Sequence, residues 1–135
     1  MRIVIVSAAP GRKAPPDYAL SLAQGMKAMG HYVDVLDAWT GDGHRLPGYD
    51  YVVAVTQAAS FFSGKIPEIV PAILSAASNL VGKKGAAFVM KGGLFTDRAL
   101  ANLMKAMEKE GMRVNWSDIL FNPPHAEAMG KLIGA

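Results

Sequence analysis

Arg2–Tyr18, RIVIVSAAPGRKAPPDY, is the stretch on which the reading of the whole chain turns. The β-branched run Arg2–Val6 has no polar alternation, the pattern of a strand buried on both faces. It passes into a loop of small residues with two bases and three prolines. Pro16 suits the first turn of a helix, where a missing N–H matters least. Tyr18, Leu22, Met26 and Met29 recur at helical spacing, and Gly30 stops the helix. A buried strand feeding a helix is one βα unit, so the fold class depends on whether the unit repeats.

It does repeat. His31–Asp37, HYVDVLD, alternates and predicts a half-buried edge strand. Ala38–Tyr49 is turn-rich, with at most a short helical turn. Tyr49–Thr56, YDYVVAVT, is a second almost wholly apolar strand. After the loop Gln57–Ile66, Pro67 opens a helix with Ile69, Ile73, Ala76 and Leu80 on one stripe. Gly85–Met90 is the fourth strand. Thr96 is a suitable cap for a helix whose inner face is Leu100, Leu103, Met104 and Met107, ended by Gly111. Met112–Phe121 predicts a weaker fifth strand, broken near Asn115–Asp118. Asn122 caps a last helix from Pro123–Pro124, with His125, Met129, Leu132 and Ile133 inward.

Strands alternating with helices, and apolar central strands, predict an α/β three-layer fold: a doubly wound five-stranded parallel sheet in the order 2-1-3-4-5. At 135 residues the chain is expected to form one domain over 1–135. Ligands of such sheets bind beyond the carboxyl ends of the strands, at the point where the strand order reverses. That nominates the loops Ser7–Pro15, Gln57–Ile66 and Lys91–Phe95.

Composition removes whole classes of function. With 51% apolar and 19% charged residues the chain reads as globular rather than disordered. It has no cysteine, hence no disulfide, thiolate metal site or iron–sulfur cluster. No stretch approaches the length of a membrane helix, and the opening residues read as a strand rather than a signal peptide, so a cytoplasmic location is expected. The formal charge of +3 is spread along the chain, and the tight basic groups lack interleaved aromatics, which argues against nucleic acid as a partner. The phosphate-binding Gly-Lys-Ser/Thr ending and G-x-G-x-x-G are both absent. A phospho-acceptor aspartate is missing too, since Thr56 ends the third strand and Ser7–Ala8 follow the first. Asp42–Gly48, DGHRLPG, falls one residue off a D-x-H-x-x-G pattern of cobalamin-binding domains, in the wrong connection, and reads as a turn. His31, His44 and His125 lack clustered partners and read as structural or solvent-facing.

Tyr49–Leu74, YDYVVAVTQAASFFSGKIPEIVPAIL, and Gly82–Gly93, GKKGAAFVMKGG, resemble the third and fourth strands and following loops of the flavodoxin-like family, and the likeness extends over nearly the whole chain. The resemblance implies non-covalent FMN, electron transfer or small oxidoreductase chemistry, and a redox partner protein. It makes Ser7, Ala8, Ala9, Gly11, Arg12 and Lys13 the phosphate loop. Gln57, Ala58, Ala59, Ser60, Phe61, Phe62 and Gly64 would flank the flavin ring, with Phe61 or Phe62 stacking, and Lys91, Gly92 and Gly93 would offer amides to its pyrimidine side. Trp39 either reaches this rim or packs in the core.

The chain departs from the family in the first loop. Ser7 is its one hydroxyl, and Pro10, Pro15 and Pro16 have no N–H to give a phosphate. Arg12 and Lys13 are either replacements for the missing hydroxyls or solvated bases. The alternative to FMN binding is therefore a flavodoxin-fold module that has lost its flavin and binds or regulates something else. A weaker third reading is a binder of phosphorylated small molecules through Arg12 and Lys13.

Overall fold

The computed structural model describes residues 1–12 and 17–133. Five strands, β1 (Arg2–Ala8), β2 (Tyr32–Asp37), β3 (Tyr51–Thr56), β4 (Lys84–Met90) and β5 (Arg113–Leu120), form one parallel sheet in the order β2-β1-β3-β4-β5. Four helices cover it: α1 (Asp17–Ala28), α2 (Ile69–Ala76), α3 (Thr96–Lys109) and α4 (Pro123–Leu132). The topology is the one expected from the alternation of elements.

Alternate residues of β1 feed two cores. Ile3 and Ile5 pack with Leu22 and Met26 of α1, Phe88 of β4 and Met129 of α4. Val4, Val6 and Ala8 pack on the opposite face, with Ile73 and Leu74 of α2 and Leu103 and Met107 of α3. Both faces of the central strands are thus buried, which is why their sequences show no polar alternation. On the α1/α4 side the helices approach closely at glycines: a methyl on Gly25 would lie 2.1 Å from the Glu127 carbonyl oxygen, and one on Gly130 2.3 Å from that of Leu22.

Several expectations shift. β1 continues to Ala8, because Ser7 pairs with Asp37 and Val55, and Ala8 with Thr56. Met29 lies beyond α1 and is exposed rather than inward. The stretch Gly43–Gly48 is a 3-10 helix capped by Asp42, whose Oδ1 accepts from the His44 amide at 2.9 Å. α2 starts at Ile69 and buries Val70, Ile73 and Leu74; Ala76, expected inside, is exposed, and Leu80 is buried beyond the helix end. Thr96 is not a cap: it is the first residue of α3, and its hydroxyl donates to the Gly92 carbonyl at 3.0 Å. β5 is unbroken and absorbs its irregularity as a bulge, with Asn115 skipped between the pairs Gly85–Val114 and Ala86–Trp116. Asn122 does cap α4, accepting from the His125 amide at 2.8 Å, but Leu132 is exposed.

The bulge aims Asn115 at Tyr51, whose hydroxyl donates to Asn115 Oδ1. Burial pushes the Tyr51 phenol up to about 12. Its folded-state value thus lies above the ordinary one near 10, so the contribution it makes is present below about pH 10 and is lost as pH rises towards about 12. Lysines titrate in the same window, so the readout is a difference. The denaturant midpoint of the wild type should fall more steeply over that interval than that of Tyr51→Phe. Parallel curves would refute the assignment.

Candidate functional site

Because β1, β3 and β4 are neighbours, the loops at their carboxyl ends converge on one rim, at the switch point between β1 and β3. The first loop is built from small groups. Ser7, Ala8 and Ala9 are all buried, and a 3-10 turn Pro10–Arg12 follows, with Gly11 at φ +73°. Two carbonyls of this segment are held from outside it. Thr56 Oγ1 donates to the Ala8 oxygen at 2.7 Å, and the Trp39 indole N–H donates to the Ala9 oxygen at 2.7 Å. Ser7 is only 1% exposed, and its Oγ has no hydrogen-bond partner among the described residues. A buried, unpaired hydroxyl is unfavourable by about 1–3 kcal/mol, so the atom is either strained or waiting for an acceptor. The side chain of Arg12 and all of Lys13, also expected here, lie outside what is described.

The second loop folds on itself and onto α3. The Ala59 amide donates to the Lys65 oxygen at 2.8 Å, and the Ser63 amide to the Ser60 oxygen at 3.2 Å. Asn102 Nδ2 donates to the carbonyl of Gly64 at 2.7 Å, and Gly64 is pressed against the Arg98 side chain. Ala58 is buried, while Gln57 is half-buried and its amide lies against Gly92. Phe61 and Phe62 stand 57% and 76% exposed, edge to face with ring centres 5.0 Å apart. Two rings this exposed at a strand-end loop are not core residues; either can present a face to a planar ligand.

The third loop is bound to its neighbours on both sides. The Lys91 amide donates to the Leu120 oxygen at 2.9 Å, while its ammonium lies 5.1 Å over the Phe121 ring. The Gly92 amide donates to Thr96 Oγ1 at 3.4 Å. The amide of Gly93, at φ +73°, has no partner among the described residues. The Leu94 amide donates to the Phe61 oxygen at 2.9 Å, which ties the second and third loops directly together.

All the described candidates therefore share one rim, in two groups. Gln57–Gly64 and Lys91–Gly93 touch each other. The Ser7–Arg12 segment instead touches Thr56 and Trp39, and an open cleft of about 380 Å³ separates Pro10, Gly11 and Trp39 from Ala59 and Lys65–Glu68. Thr56 was not among the sequence candidates, although a polar residue closing an apolar strand is a readable signal; here it is fully buried. Trp39 does reach the rim, through its indole N–H. Among the described residues there is no group of three or more metal-ligating side chains, and no helix long and apolar enough to cross a membrane.

Comparison with known proteins fixes the fold. No protein-family model and no curated protein matches the chain. Solved structures do. Flavodoxin 1 of Bacillus cereus is 16% identical with a TM-score of 0.68, covering 96% of this chain and 95% of its own. A flavodoxin from the domain Archaea is 17% identical with a TM-score of 0.73, covering 98% and 96%. The two-electron reduced flavodoxin of Megasphaera elsdenii is 18% identical with a TM-score of 0.69, covering 93% and 96%. The architecture and strand order are those of a flavodoxin-like fold.

Proposed function

We propose that this flavodoxin-fold chain binds FMN non-covalently at the rim formed by its first, second and third βα loops and serves in electron transfer or small oxidoreductase chemistry with a redox partner protein. The observation that carries the reading is the buried Ser7 Oγ without a partner at the switch point. A phosphate oxygen is an acceptor that would satisfy it. Gly11, in the left-handed region and with no described atom within 4 Å of where a Cβ would sit, gives the adjoining turn a conformation from which backbone amides can approach an anion. At the other end of the rim, the exposed Phe61 and Phe62 faces and the unpaired Gly93 amide supply an apolar wall and a donor. Bound FMN would supply the redox chemistry, with the protein's part being to hold and orient it and shield it from water. Trp39 is a positioning residue in this reading: by holding the Ala9 carbonyl it fixes the peptide between Ser7 and the Gly11 turn.

A second reading has its own observation. Ala8, Ala9 and Pro10 offer no hydroxyl and Pro10 no amide, and the Leu94–Phe61 hydrogen bond joins the two loops that would flank the ring. A chain of this kind keeps the fold and binds something other than flavin.

The two separate on one measurement. The purified protein is incubated with FMN, desalted, and its visible absorption recorded, with the same done for Ser7→Ala. FMN retained by the wild type and bound at least about tenfold more weakly by Ser7→Ala is the expected result, since a hydrogen bond to a charged group is worth about 1.5–3 kcal/mol. A colourless wild type sinks the flavin reading and leaves the second.

A further inference from the structure

At the opposite end of the sheet, where β3, β4 and β5 begin, an open cleft of about 410 Å³ lies between the strand edge and the end of α4. Its size falls in the range of small-molecule sites. The Asn115 bulge contributes one wall: it takes one residue out of register where Asn115 meets the Tyr51 hydroxyl and Trp116 lines the cleft, while Leu132 at the end of α4 lines it from the helix. Trp116 is 39% and Leu132 52% exposed, so two large apolar side chains face water beside a preformed hollow. Ile133 completes the apolar wall.

The polar groups decide what kind of molecule suits the cleft. The Tyr51 phenol, held protonated, already donates to Asn115, so the floor is neutral at ordinary pH. Lys84 lines this cleft and the adjoining one that carries Asp50, and has no carboxylate within ion-pair distance among the described residues. No described lining residue is acidic. A cation beside an apolar hollow with no acidic residue among its described lining favours an amphipathic anion: the charge stays in water and the apolar body leaves it.

We propose that this cleft binds a small amphipathic carboxylate, its anion at Lys84 and its apolar body between Trp116 and Leu132. The site is independent of the flavin reading, lying at the other end of every strand that carries the rim.

Octanoate is the probe and octanol its uncharged control, each titrated calorimetrically into the full chain. Octanoate should bind saturably. Lys84→Ala should weaken it by roughly tenfold, about 1.4 kcal/mol, while leaving octanol unchanged. Trp116→Ala should weaken both. Lys84 is an exposed first residue of its strand, so its replacement leaves the fold in place and keeps the charge test valid. No saturable heat up to about 10 mM, or an octanoate affinity indifferent to Lys84→Ala, overturns the proposal.

Discussion

Gly25→Ala should lower the melting temperature by about 10 °C, a loss of about 3 kcal/mol, although alanine is the better helix former. The added methyl would lie 2.1 Å from the Glu127 carbonyl oxygen and 3.0 Å from the Lys131 nitrogen. These are backbone atoms of α4, so no side-chain rotation relieves the clash; the two helices must separate. Separation opens the core beneath them, where Leu22, Met26 and Met129 are packed against Phe88. Gly130→Ala meets the Leu22 oxygen at 2.3 Å and should behave alike. Because each change forces the same pair of helices apart, the double variant should cost less than the sum of the two. Gly48→Ala, with nothing within 4 Å, is the control and should stay within about 0.5 kcal/mol of the wild type. Thermal melts of the four variants check this, and a Gly25→Ala melt matching that of Gly48→Ala would refute the close-packing account.

That glycine pair also shows where sequence reasoning stops. The order of the strands followed from local pattern: buried runs such as YVVAVT and GAAFVM need cover on both faces, and helices between them provide it. Gly25 and Gly130 are 105 positions apart and sit in helices whose own periodicity gives no hint of the other. Helix faces failed for a related reason. Ala76 and Leu132 fit a helical stripe by spacing, but both lie at or near helix ends, where the direction of the next segment decides what is covered. The rim was legible in outline, because topology alone brings the ends of β1, β3 and β4 together. Its bonding was not. Trp39 holding Ala9, Thr56 holding Ala8 and Leu94 holding Phe61 are contacts between distant segments, and only the exposed Phe pair announced itself locally.

The Leu94–Phe61 junction carries the second large effect. Gly93→Ala meets two separate penalties. At φ +73° any side chain is strained by about 1–2 kcal/mol, and its methyl would lie 2.7 Å from the Phe61 oxygen and 3.0 Å from the Phe61 Cα. Gly82, at φ +78° with nothing within 4 Å, meets the first penalty alone. Gly93→Ala should therefore cost about 3 kcal/mol and Gly82→Ala about 1 kcal/mol, the difference measuring how firmly the two loops are held together. Chemical denaturation of both variants gives that difference, and equal losses would mean that the loops part freely. The same pair bears on flavin. Gly82 lies at the amino end of the sheet and its variant should bind FMN as the wild type does, whereas Gly93→Ala, which displaces the Phe61 backbone and the unpaired Gly93 amide, should bind it more than about tenfold more weakly. Wild-type FMN affinity in Gly93→Ala would remove the ring end of the ligand from this junction, and Ser7 would then have to hold it from the other end of the rim alone.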